Sequence, residues 1–174
     1  DATNAKFLDS MLTYSGTVVS SVTGLDHLEG ESVSVLADGK VHPDVTVTSG
    51  AITLNYTASV IHAGLGFTSD MFILPIEVDA ATGTSSGRSK RVSRVILKLY
   101  ESAGCKIGRD SSHLDSVSFN EDQVYGAGTV LFSGDKVIDF EADDDTIAQI
   151  FIRQDQPLPL TILSIAMEID FNAR

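Results

Sequence analysis

The chain of 174 residues carries 24 Asp and Glu against 12 Lys and Arg, a formal net charge of −12 at pH 7, with 43% hydrophobic and 21% charged residues. That balance supplies enough apolar surface to fold and excludes intrinsic disorder, and the length suits one domain or two small subdomains. The acidic excess argues against a surface that binds DNA or anionic lipid throughout, because phosphate attraction needs clustered Lys and Arg.

A period of two dominates the pattern, and no segment of 11 or more residues carries a helical stripe, so the fold class is all-β. Residues 1–23 are expected to supply N-terminal strands, within Phe7 to Val22, that pack on the second of two subdomains. Residues 24–78 are expected to form a small β-barrel-like subdomain that includes the strand Ala51 to Tyr56 and turns at Asp38-Gly39 and Ser49-Gly50, where glycine provides the positive φ of tight hairpins. Residues 79–90 (DAATGTSSGRSK) read as a Gly- and Ser-rich linker loop. Residues 91–174 are expected to form an antiparallel β-sandwich-like subdomain. Its strands run from Val92 to Tyr100, with Val95, Leu97 and Leu99 inward, from Thr146 to Arg153, and from Leu163 to Phe171, with turns at Ala103-Gly104 and Ser133-Gly134. Pro157 and Pro159 place the segment between the last two strands at an edge, a bulge or a strand entry.

Several residues invite chemistry. The one cysteine, Cys105, excludes an internal disulfide and every multi-cysteine metal site, and reads as a buried, inert thiol at a hairpin. Gly83 to Gly87 formally matches G-x-S-x-G, but that motif needs a helix after the serine, and a strand is expected there. His27, His42, His62 and His113 lack metal-ligand spacing and are each expected at a surface or turn. Asp139, Glu141, Asp143, Asp144 and Asp145 form an acidic run that could hold calcium; without the EF-hand order, a solvated loop is expected. Arg88, Lys90, Arg91, Arg94 and Lys98 concentrate positive charge on the linker's mouth and one strand. They are the candidate interaction patch, suited to an acidic neighbour such as another copy of the chain or to passing contact with nucleic acid, against the plainer reading of a solvated face that balances nearby carboxylates. Asn55-Tyr56-Thr57 matches a glycosylation sequon. The longest unbroken apolar run, Met71 to Ile76, is far below the roughly 18 residues of a membrane span. The start Asp1-Ala2-Thr3-Asn4 lacks the basic and apolar regions of a signal peptide, and without an initiator Met it is expected to belong to a processed product or a fragment.

Gly24 to Val33 (GLDHLEGESV) followed by Val35 to Gly39 (VLADG) resembles a signature common in bacteriophage tail proteins. Thr82 to Gly87 leading into Arg91 to Val95, and Arg153 to Leu163 (RQDQPLPLTIL), resemble later motifs of the same proteins in the same order. The family is often labelled after the first-catalytic-cysteine-half domain of ubiquitin-activating enzymes and is similar to the tail nozzle or tail tubular proteins of short-tailed phages. The resemblance implies a non-catalytic structural protein of the virion tail, without cofactor. It implies copies assembled in a ring, typically a hexamer, beside tail adaptor and tail fibre or spike proteins, with viral DNA leaving through the channel. It also implies that this chain is a C-terminal portion, because whole nozzle proteins are longer. The alternative from another class is a virion binding module that contacts tail fibres or host glycans through the 79–90 and 109–123 loops, although the chain has no Trp to stack on sugars.

Overall fold

A computed structural model describes residues 2–76, 79–80, 83–84, 89–119, 128–140 and 148–171. The protein is all-β, built from antiparallel sheets, with no α-helix among the described residues and only single 3-10 turns at Ala2–Asn4 and Asp26–Leu28. It divides into two compact units. The first comprises Asp1–Ser69, Asn120–Leu131 and Asp155–Pro159; the second comprises Asp70–Phe119, Phe132–Gln154 and Leu160–Arg174.

In the first unit, β1 (Asp9–Thr23), β2 (Ser32–Ala37), β3 (Lys40–Thr46) and β4 (Ala51–Leu65) form one sheet in the order β1-β4-β2-β3. The β2–β3 turn has φ of 49° at Asp38 and 75° at Gly39, and the turn before β4 has 54° at Ser49 and 66° at Gly50. Positive φ at both central residues is the two-residue hairpin geometry that matches strand twist, so these two dipeptides are turns as their sequence indicates. Pro43 falls on β3, an edge strand, where its missing N–H costs no ladder bond.

Strand β1 corrects the expectation that residues 1–23 pack on the second subdomain. It pairs with β4 from Asp9 opposite Leu65 to Thr23 opposite Ala51. The sequence showed only Ala51 to Tyr56 as a strand, whereas β4 runs for 15 residues and offers a second partner. The apolar side chains of β1, Leu12, Tyr14, Val19 and Val22, pack on the first core with Val33, Val35, Ile52 and Ile61. On the other side of the sheet Leu36 and His62, which are register partners, are also buried.

The second unit contains the sheet β11 (Phe132–Asp139), β8 (Lys90–Ser102), β13 (Ile162–Phe171) in that order, and a sheet ordered β10 (His113–Val117), β9 (Cys105–Asp110), β12 (Phe151–Gln154), β5 (Ser69–Phe72). Both sheets feed one core: Val95, Leu97 and Leu99 from β8 meet Ile107 and Ile152 from β9 and β12. Two small strands, β6 (Asp79–Ala80) and β7 (Gly83–Thr84), pair with each other inside the stretch read as a linker.

Three local readings change. Ala103-Gly104 is a corner where the chain leaves one sheet for the other, not a hairpin, because β8 and β9 belong to different sheets. Ser133-Gly134 lies inside β11, where a register shift marks a bulge and Gly134 takes φ of 144°. A second bulge between Ile162 and Ser164 shifts the alternation of β13, leaving Leu163 59% exposed while Ile162, Ile165 and Met167 pack on the core. The Pro157–Pro159 segment runs between β12 and β13, outside any strand.

Candidate functional site

The basic cluster separates into three situations. Lys90 is 1% exposed, and its Nζ donates to the Ile76 carbonyl at 2.9 Å, so this cation belongs to the interior and not to a surface patch. Arg91, Arg94 and Lys98 lie on β8, the central strand of its sheet, with side chains exposed. Arg88 lies outside the described residues.

The register of this sheet explains what surrounds the three exposed cations. Lys98 stands opposite Asp135, Arg94 between Asp139 and Glu168, and Arg91 opposite Asp170. Arg94 Nε donates to Asp139 Oδ1 at 3.3 Å, and its Nη1 reaches Glu168 Oε2 at 3.1 Å. Between these charged rows lies an apolar one, Val137 beside Ile96 beside Ala166. Opposite charges directly across a ladder attract, so the face is a striped surface with carboxylates on both flanks of a cationic strand. The cations and their partners were both visible in the sequence; the pairing depends on register, which was not.

Of the acidic run, only Asp139 is described, and it is the partner of Arg94; Glu141, Asp143, Asp144 and Asp145 lie outside the described residues. Among the described residues no group of three or more His, Cys, Asp or Glu side chains is placed to hold a metal ion. Of the G-x-S-x-G match, Gly83 and Thr84 form β7, residues 85–87 lie outside the described residues, and the chain continues into β8 at Lys90 where a nucleophile elbow requires a helix. Cys105 is buried, and burial pushes its thiol up to about 12, leaving no thiolate to react near neutrality.

Two histidines depart from the expectation of surface or turn positions. His42 is 2% exposed and His62 1%. Each is tolerated inside because both ring nitrogens are bonded: His42 to the Pro43 carbonyl at 2.6 Å and the Asn55 N–H at 3.0 Å, His62 to the Thr3 carbonyl and the Thr13 hydroxyl, both at 2.9 Å. His27 and His113 are exposed. His113 Nδ1 bonds the Asp110 carboxylate at 2.9 Å, and that bond, with the Ser112 N–H, holds the Asp110 carboxyl below its ordinary value.

The segments on which the sequence resemblance rests are occupied in building the fold. In Gly24 to Gly30 the two glycines take φ of 95° and 83°, and Leu25 and Leu28 are buried in the first core. Within the same stretch His27 Nε2 donates to the Ser10 carbonyl, and Glu29 accepts the N–H groups of Gly50 at 2.7 Å and Ser49 at 2.9 Å. Those bonds, Gly50 first and Ser49 next, hold the Glu29 carboxyl below its ordinary value. In the second signature, Asp38 accepts from Val60 N at 2.8 Å, Ser59 N at 3.1 Å and Ser59 Oγ at 2.9 Å. Burial alone would raise the Asp38 carboxyl; the Val60 and Ser59 donors, with the Lys40 charge, outweigh it and hold it low. These donors lie on β4 just past the end of its ladder with β2, where Ala37 stands opposite Ile61 and the Asp38 N–H donates to the Val60 carbonyl, so the carboxylate caps that end of the ladder.

The downstream motif is used the same way. Arg153 makes a two-point contact with Asp70 at 2.7 and 2.8 Å, which holds the Asp70 carboxyl low, and Gln154 Nε2 donates to the Gly104 carbonyl at 3.0 Å. Beside the β9–β10 hairpin, within the 109–123 stretch proposed as a binding loop, a shallow cleft of about 190 Å³ is lined by Arg109, His113, Asp115, Asp139 and Phe140 among others. Comparison with protein-family models gives no match, and comparison with curated proteins gives none.

Proposed function

We propose that this chain is a non-catalytic assembly module of a bacteriophage tail, a nozzle-like piece that stands with copies of itself in a ring around the DNA exit channel. The observation that carries the reading is the use made of the signature residues. Gly24 to Gly30 and Asp38-Gly39 spend their side chains and their special backbone angles on turns, core and orphaned N–H groups. A signature of that kind specifies a shape, which is what an assembly needs, whereas an enzyme's signature converges polar groups on a cleft.

The charge fits the same role. A chain of net −12 repels the phosphates of passing DNA, so a channel wall made of it would let DNA slide without sequence-specific contact. Neighbours in this reading are other copies, the tail adaptor, and tail fibre or spike proteins, in the virion tail. Docking between copies on the β8 face would pair striped rows of charge and not oppose a lone basic patch to an acidic one. The cleft beside the β9–β10 hairpin keeps a second reading alive, contact with fibres or host glycans, through its mixed polar lining.

The test is immunogold labelling of particles that carry this gene product with antibody raised against the chain. Gold at the tail, with ring-shaped assemblies of the protein, is the expected result. Particles without label overturn the tail reading; a positive glycan array with label on fibres moves the assignment to the second one.

A further inference from the structure

We infer that the outer face of the β11-β8-β13 sheet is a self-complementary docking surface, on which a second copy of this chain stands face to face with its β11 over β8 and its β8 over β11. Register builds the face. Val95, Leu97 and Leu99 of β8 turn into the second core, as does Ile138 of β11, so the alternate residues of both strands turn outward. Across these two strands one outward row sets Asp135 beside Lys98, the next Val137 beside Ile96, and the third Asp139 beside Arg94. Val137 is 53% exposed and Ile96 half-buried, which leaves a strip of apolar surface between two rows of exposed charge.

Charge selects both the occupant and its register. Sheets that pack face to face keep their strands within about 30° of alignment. A two-fold axis lying across the strands would set β8 on β8, and so would an axis along β8 itself; cations would then face cations, which opposes association. An axis along the strands also allows the partner to be displaced sideways by one strand, about 5 Å. The axis then falls midway between β11 and β8 and keeps each row over itself. Asp135 meets Lys98, Val137 meets Ile96 and Asp139 meets Arg94, and symmetry makes each contact twice. Displacement towards β13 fits less well, because Lys98 would face Ser164 and Ile96 only Ala166. What matches the pattern row by row is the pattern itself, so the occupant is a second copy.

The charges are able to serve both sheets at once. Arg94 uses Nε on Asp139 and Nη1 on Glu168 within its own sheet, and a guanidinium carries further N–H donors for a carboxylate across the interface. Two chains of net −12 repel at a distance, but at physiological salt that repulsion is screened beyond about 8 Å, whereas the facing pairs act at contact. The matched area is small, so the pairing belongs to the weak, reversible class. A two-fold contact closes on itself, so it joins copies in pairs, and a ring needs other surfaces between its neighbours. The contact rests on the assembly reading above in needing copies that meet, while its register is read in solution whatever particle they build.

Sedimentation equilibrium of the whole chain at concentrations up to about 1 mM, where weak contacts register, tests it. A reversible equilibrium between monomer and dimer is expected, with concentration-dependent amide shifts on β8 and β11 and none on β9 or β12. Arg94→Glu with Lys98→Glu makes β8 acidic, and Asp135→Lys with Asp139→Lys makes β11 basic. Each of these is expected to self-associate at least about tenfold less, and an equimolar mixture of the two to recover dimerisation. Val137→Ser leaves every charge in place, is expected to weaken association several-fold, and covers the case in which a charge variant does not fold. A chain that stays monomeric at the highest concentration, charge variants that associate as the wild type does, a mixture that does not recover, or shifts on another face each overturn the contact. So does a mixture of wild type with Arg94→Glu/Lys98→Glu that associates more tightly than wild type alone, since that result sets β8 over β8. Association that survives every variant sinks this contact while the assembly reading stands; particles without gold label sink that reading while the pairing in solution stands.

Discussion

The two units bury β cores of similar size but put their polar groups in different places. In the first, titratable side chains sit at the sheet and bond its backbone: His42 bridges β3 to β4, His62 ties the Thr3 carbonyl to β4, and Asp38 accepts β4 N–H groups just past the end of the β2–β4 ladder. In the second, the strands that face the core are apolar, and the buried polar groups, Lys90, Ser102 and Gln154, lie at strand ends, where they bond carbonyls of neighbouring segments. The charges on the outer face of β8 stand as solvent-exposed pairs. The difference teaches where each unit is vulnerable. A buried acceptor that serves the backbone is costly to remove because its donors stay behind unsatisfied, whereas an exposed ion pair returns its partners to water.

The largest effects should be common to both units and so mark the baseline. Ile61 and Leu97 are 0% exposed, one in each core. Ile61→Ala and Leu97→Ala are each expected to cost about 2–5 kcal/mol through lost transfer energy and the cavity left behind. Hydrogen exchange reads the loss locally: β4 amides for the first variant, β8 amides for the second. Loss spread evenly through both units from either change would break the comparison, since each core would then be part of one cooperative whole.

Asp38 sharpens it. Asp38→Ala leaves the N–H groups of Ser59 and Val60 and the Ser59 hydroxyl without their acceptor, and hydrogen bonds to a charged group are worth about 1.5–3 kcal/mol. Because the folded state holds this carboxyl low, its contribution is complete above the ordinary carboxyl value near 4 and is lost as pH falls through the lower folded value. Urea unfolding of the wild type should therefore weaken below about pH 4, and Asp38→Ala should start lower and show less of that decline. An unchanged slope would mean that the carboxylate's bonds do not support the end of the β2–β4 ladder. Glu29, also held low, acts in the same window.

How much of this was legible in the sequence follows the range of each interaction. The turns at Asp38-Gly39 and Ser49-Gly50 were readable because positive φ is a local demand that few residues meet. The inward face of Val95, Leu97 and Leu99 was readable because alternation is local too. The membership of β1 was not, because its partner β4 lies some 40 residues on and its own pattern, broken by three register shifts, favours no face. The buried histidines were missed for a related reason: what makes an interior imidazole tolerable is a pair of partners, and those of His62 come from Thr3 and Thr13, far along the chain. Asp38 carried a signal that could have been read further, since an aspartate in a tight turn is well placed to accept N–H groups; that these belong to β4 needed the fold. The basic cluster was read either as an interaction patch or as a face that balances nearby carboxylates; that Asp139 and Glu168 are the carboxylates beside Arg94 is decided by register.

Arg94 marks the small end of the scale. It is bonded to Asp139 and Glu168, but the side chains are 44%, 86% and 56% exposed, so water competes for every contact. Holding three flexible side chains in one geometry also costs entropy, and exposed pairs contribute about 0–1 kcal/mol. Arg94→Ala is therefore expected to change the unfolding free energy by less than about 1 kcal/mol, and added salt should shrink even that, because exposed charges are screened. A loss as large as that of Asp38→Ala would erase the distinction between the two units and show that the striped face of β8 is structural. A near-neutral effect on stability, combined with weakened association between copies, would instead assign those rows of charge to assembly, since a residue that the fold can spare is free to serve a neighbour.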